Sequence, residues 1–402
     1  MSNNTINHLA TATEDSFKGF KKLGSTALAT TLVASSLFTA VTTAVNATDV
    51  TIATTATINL ANSTNLVATA DSKLEIAGSS NVIATLSISL ATSGTTNIVL
   101  GDSTTGTEQS SLAVLTSGGA ITIAPLIKGL NAQVVSAITV NDDVAASVGD
   151  LATFTGVIGA ATITIVDTIA IGASDITGGN ARFTAAVHAP AILIDGGDLG
   201  EDSIGDFAST VVGQISLDDV ANKGNAKVIF SGATRTVAAT VLGQASGDGT
   251  VQITGTGITL SGRIGATGIG TFDVDQSVAM IALMDAELVT IATGKTFTID
   301  DDFTGTATAL SGTGGITFST DAGGAEASAL IGVITGAADG NGTLTYSNTA
   351  QSTQTGNIGA GAGNGVGTIA VATNGLIDIV GSVDTRSLTV AAGGVVSFDR
   401  AA

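Results

Sequence analysis

"GNGTLTYSN", Gly340 to Asn348, sets two glycines and a threonine ahead of the alternation Leu344, Thr345, Tyr346. A single glycine run of this kind suits a ligand loop, but the chain prints the pattern four times. The other copies are Gly247-Asp248-Gly249-Thr250, Gly268-Ile269-Gly270-Thr271 and Gly365-Val366-Gly367-Thr368, each running into alternating apolar residues. A dinucleotide fingerprint needs a third glycine and a following helix whose N-terminus holds phosphate; here strand follows in each copy. The run therefore reads as the corner of something that repeats. A second unit supports this: Thr155-Gly156-Val157-Ile158-Gly159-Ala160 returns at Ser261–Ala266 and at Thr355–Ala360.

Between these units lie short runs with apolar side chains at alternate positions, bounded by Gly, Asn, Asp or Ser: "KLEIAG" at Lys73, "ATITIV" at Ala161, "AKVIFSG" at Ala226, "KTFTID" at Lys295, "GITFST" at Gly315 and "GLIDIVG" at Gly375. That is the strand-and-turn signature. Copies starting at 247, 268, 340 and 365 suit one coil per unit, about 22 residues each and on the order of 16 coils in all. The expected fold is all-β, a parallel β-solenoid with short strands and glycine-rich corners. Sandwich and propeller alternatives usually carry aromatic signatures that are sparse here. "VDQSVAMIALMDAELV", Val274 to Val289, is the one stretch readable as a helix, or else as a wide coil. "GDSTTGTEQSS" from Gly101, "DGGDLGEDSIGD" from Asp195 and "QSTQTGNIGAGAGNGVG" from Gln351 read as protruding loops.

Composition agrees. Of 402 residues, 44% are hydrophobic, but only 3% are aromatic; there are 52 Gly, 2 Pro and no Cys or Trp. Val, Ile, Ala and Thr stack with little wasted volume at the roughly 4.8 Å spacing of coils, and a narrow interior is expected to exclude large rings. Thirteen basic against 33 acidic residues leave a formal charge of −20, which repels phosphate backbones and argues against a nucleic-acid partner. The missing cysteines remove disulfides, thiolate metal sites and cysteine nucleophiles.

Lys18, Lys21 and Lys22 precede an uncharged stretch, Leu23 to Ala47, that ends in small residues. The order of basic flank, apolar run and small-residue end reads as a signal peptide, residues 1–47, ahead of a β-solenoid domain, 48–402. A single membrane span is the competing reading of that stretch.

Residues with catalytic chemistry are few. His188, in "AAVHAPA", has no serine nucleophile elbow beside it and reads as a turn histidine before Pro190. Asp195, Asp198, Glu201, Asp202 and Asp206 supply the oxygen ligands calcium favours, without EF-hand or β-roll spacing. They and the runs Asp142-Asp143, Asp218-Asp219 and Asp300-Asp301-Asp302 read otherwise as solvated turn carboxylates. No catalytic, cofactor or metal residue is assigned, no cofactor is expected, and the chain is read as a non-enzyme. A carbohydrate-active β-helix is the weaker enzymatic alternative, since its carboxylates would need a neighbouring Lys or Arg base.

The leader "KGFKKLGSTALATTLVASSLFTAVTTAVNA", the cysteine-free Thr/Ala/Gly/Asn-rich body, and the units "GNGTLTYSN" and "TGNIGAGAGNGVGTIAVATNGLIDIVGSV" resemble the passenger regions of rickettsial surface cell antigens of the outer membrane protein B kind. The resemblance covers most of Thr48 to Ala402 at the level of composition and repeats. It implies a secreted β-solenoid shown on the bacterial surface, with a host-cell surface protein or lateral self-association as partner. It implies outer-membrane contact only through a translocator barrel, whose aromatic-rich amphipathic strands are not written in this chain.

Overall fold

The computed structural model describes isolated strand segments between residues 30 and 100 and most of 109–399. Residues 116–119, 125, 130–134, 142–150, 160–165, 173–177, 198–201, 220–223, 320–328 and 360–362 are outside it. The signal segment, apart from Thr30–Thr31, and residues 101–108 of the loop from Gly101 lie outside the described residues, whereas its end, from Gln109, opens the strand Gln109–Leu115.

The described chain is an all-β solenoid of about 10 turns with every strand pairing parallel, and it contains no helix. Each coil has three walls. In one coil Phe303–Leu310 supplies the third wall and, past an outward-facing pair at Thr306 and Ala307, the first wall of the next coil; Gly315–Phe318 then forms the second wall. The first wall is the ladder Phe183, Phe207, Phe230, Ile253, Val274, Ile291 and Leu310. The second is an eight-stranded sheet from Arg235–Val237 to Thr385–Val390. The third runs through Ile192, Ile215, Val241, Ile264, Met284 and Phe303.

Alternation explains the walls. In Thr296–Ile299 Phe297 and Ile299 point in and their neighbours point out, and this in–out order recurs in strand after strand. Each inward residue sits on the equivalent one a coil away, so the core is a single continuous column from Ile98 to Ile379. Coil length is not uniform: on the second wall it is 19 residues from Met280 to Ile299 and 28 from Phe318 to Tyr346. Insertions at corners therefore lengthen coils, and the count is set by walls rather than by a fixed repeat.

Two expectations are corrected. Val274–Val289 is not helical: Val278–Met280 and Met284–Ile291 are strands on the second wall and across the third and first. Their inward residues 278, 280, 284, 286, 289 and 291 keep a period of two but change phase at the corner between 286 and 289, which imitates mixed helical spacing. Large rings are also not excluded. Phe154, Phe183 and Phe207 stack down the first wall with centroids 4.9 Å apart and interplanar angles of 14° and 11°. Phe318 and Tyr346 stack likewise on the second wall at 5.0 Å. One ring per coil, flat against its neighbours, fits the coil spacing and adds ring–ring attraction to burial. The Tyr346 hydroxyl is buried without a partner, and burial pushes its pKa up.

The segment from Gln351 contributes to the walls at Ser352–Gln354 and at Ile358 rather than protruding throughout as a loop. Ser352–Gln354 is a strand whose Ser352 and Gln354 face inward at 1% exposure. Polar inward positions hid it from an apolar pattern; Asn348 Nδ2 donates to Ser352 Oγ at 2.6 Å, and Gln354 Nε2 to the Gly332 carbonyl at 3.0 Å. The segment from Asp195 is likewise shorter than expected, because Ser203–Phe207 is a first-wall strand.

The repeated units mark local corner geometry and not one place in the coil. The copies at Gly247 and Gly268 open first-wall strands, whereas those at Gly340 and Gly365 open second-wall strands. In the other unit the buried isoleucines take three different walls: Ile158 pairs with Val187, Ile264 with Met284 and Ile358 with Ile334. The interval from 268 to 340 spans three coils and one extra corner.

Candidate binding faces and corner carboxylates

Outward residues and corners are the parts of a filled solenoid that can meet another molecule. Among the described residues no group of three or more His, Cys, Asp or Glu is placed to hold a metal ion. His188 is not in a turn but in the strand Val187–Asp195, between inward Val187 and Ala189, with its backbone N–H donating to the Ile158 carbonyl at 2.8 Å. The Pro190 ring follows it on the solvent side at a shift in register.

The acidic residues from Asp195 are divided among different tasks. Asp198 and Glu201 lie outside the described residues, as do Asp142 and Asp143. Asp202 Oδ1 accepts from both the backbone and side-chain nitrogens of Asn225, each at 2.9 Å. Asp206, out on the first wall, accepts from the Ser231 hydroxyl and faces Arg182 Nε at 3.5 Å. Asp195 is the register partner of Asp218. Asp219 accepts from Ala226 N at 2.5 Å across its own corner and from Gly249 N of the neighbouring coil at 2.7 Å. Asp300 accepts from the Ser319 hydroxyl. Apart from Asp219 to Ala226, which closes a local corner, these bonds link residues about one coil apart, so the turn carboxylates act as clamps between coils as well as solvated charge.

Arg235, at the start of its second-wall strand, is a cation turned to the same use. Its guanidinium donates to the carbonyls of Phe207, at 2.5 Å, Ala208 and Ser231. Burial lowers its pKa, and Asp206 partly opposes that.

Burial raises the pKa of Asp218, and Asp248 and Asp219 add to the effect. A raised acid is harder to ionise in the folded chain than in the unfolded one, so its charge costs stability above the ordinary value of 3.8 and costs nothing below it. Asp218→Asn is expected to raise the urea midpoint near neutral pH, with the gain shrinking as the pH falls toward 3.8. A gain of constant size across that range would rule out ionisation as its cause.

Second-wall strands present outward threonines two residues apart, as in Thr296-Phe297-Thr298 and Thr343-Leu344-Thr345. Sequence reading registered the alternation but not the rows these residues build, because row neighbours are separated by a whole coil. The dyads "TFT" and "TLT" were the available signal.

Comparison with known protein families, with characterised proteins and with solved structures finds no match. The chain is thus defined by its fold, a parallel three-walled β-solenoid, with its outward walls and corners.

Proposed function

We propose that this chain is a secreted, non-enzymatic display rod, the surface-exposed passenger of an outer-membrane autotransporter acting in adhesion to host cells. The observation that carries this is the division of labour in the coil: inward positions fill a continuous column, and corner carboxylates and Arg235 are bonded to neighbouring coils. Such a rod holds long outward walls at a distance from its base, which is what a display element needs. The resemblance of the leader and the repeat units to rickettsial surface antigens supports the same reading, as does the signal-like order of residues 1–47.

Purified chain incubated with host cells tests it. Saturable binding that excess unlabelled protein displaces supports adhesion. Ordered lateral assembly with no such binding favours the alternative, a self-associating surface-layer protein. Cleavage of an acidic polysaccharide would instead favour the carbohydrate-active reading.

A further inference from the structure

The second wall carries an ordered net of hydroxyls that the coil does not use. Across five successive strands, Thr296–Ile299 to Thr385–Val390, the register positions between the inward residues fall into two rows, with Gly315 buried among them. One row is Thr296, Gly315, Thr343, Thr368 and Ser387. The other is Thr298, Thr317, Thr345, Ala370 and Thr389. The second row extends back one coil at a time through Ala279 and Thr259 to Thr236. No shift in register interrupts these pairings; the shifts between Ile264 and Ile269 and between Thr304 and Ala307 fall at the corners where the third wall passes into the first.

Two further observations separate this face from the rest. None of the row positions is charged, in a chain with a formal charge of −20; of the guanidiniums beside the rows, Arg386 is held by Asp339 at 3.2 Å and Arg235 by the Phe207, Ala208 and Ser231 carbonyls. And none of the row hydroxyls has a partner among the described residues. First-wall Thr290 and Thr335, by contrast, donate to Asp273 Oδ1 at 2.7 Å and the Thr308 carbonyl at 3.2 Å.

The geometry points to an ice-binding face, with the ligand the prism surface of hexagonal ice. Neighbouring coils repeat at about 4.8 Å, and alternate residues along a strand at about 6.6 Å. Stacking of like side chains suppresses the twist that would otherwise spoil a net of this extent. The prism plane of ice repeats its oxygens on a rectangular net of comparable edges. Each threonine offers that net a hydroxyl to bond one water and a methyl, fixed by β-branching, around which the next waters order. Charged side chains would impose their own hydration shells on the contact; the rows contain none.

Slow growth of ice in a dilute solution of the full chain decides the matter. Enrichment of the chain in the ice fraction, together with faceting of single crystals, is expected. Thr298→Lys combined with Thr345→Lys is expected to abolish both, while Thr250→Lys on the first wall leaves them intact. Should the lysine pair lose its strand circular dichroism, Thr317→Ser with Thr345→Ser takes its place, and loss of enrichment is again the expected reading. Wild-type chain that stays in the liquid like an inert solute overturns the proposal, as does enrichment that survives both second-wall pairs. Concentration-dependent dimerisation removed by those pairs, with no ice enrichment, would assign the face to a second copy of this chain and overturn it equally.

Discussion

Phe207→Ala is expected to lower the stability of the solenoid by about 3–5 kcal/mol, the range for removing a buried aromatic ring. Phe207 is fully buried and lies in the middle of a column, 4.9 Å from Phe183 and 6.4 Å from Phe230. Removing it strips contacts from both neighbours, and the gap cannot close by a shift of one side chain, because each ring is fixed by a strand paired on both edges. In a stacked architecture the coils communicate only through their neighbours. Loss of one interface therefore uncouples the coils on either side as well as weakening the whole. Urea denaturation followed by circular dichroism is expected to show an earlier midpoint or a transition divided in two. Val212→Ala, on the same coil but 44% exposed, is expected to change the midpoint little, within about 0.5 kcal/mol. Equal effects of the two substitutions would remove the stacked ring from the account of stability.

The ring column shows where sequence reading stopped. Alternation within a strand is local and was legible in stretches such as Thr296–Ile299 and Gly315–Phe318, so strand type and the solenoid class followed from it. The column joins residues 154, 183, 207 and 230, separated by 23 to 29 positions, and a composition of 3% aromatics gives no hint that these rings coincide. Wall assignment was hidden for the same reason. "TGVIGA" and "TGNIGA" dictate a corner with a buried isoleucine, but which wall that isoleucine joins depends on the lengths of the coils before it. Corner carboxylates were legible as turn residues; their bonds to the following coil, such as Asp219 to Gly249, depend on stacking and are written nowhere near either residue. The candidate face was half legible: each Thr-x-Thr dyad is visible, and the register that aligns one dyad over the next is not.

Gly342→Ala, within the stretch that first suggested a corner, is expected to cost about 3 kcal/mol or more, since it combines a left-handed backbone with a collision. Gly342 has φ of 84°, and a Cβ there would stand 2.4 Å from Leu310 Cβ on the preceding coil. Gly249 meets the same obstacle, Leu217 Cβ at 2.4 Å with φ of 79°, although its strand belongs to a different wall, so Gly249→Ala is expected to behave alike. The contact is with a β-carbon, which cannot swing away as the end of a long side chain can; Leu310→Ala therefore does not rescue the variant. Gly363 isolates the conformational part: its φ is 92° and nothing lies within 4 Å of a Cβ placed there. Gly363→Ala is expected to cost only the left-handed penalty, about 1–2 kcal/mol. The difference between the two urea midpoints measures how closely one coil approaches the next at this corner. If Gly342→Ala and Gly363→Ala shift the midpoint equally, close approach of the coils is not what requires the second glycine of the motif.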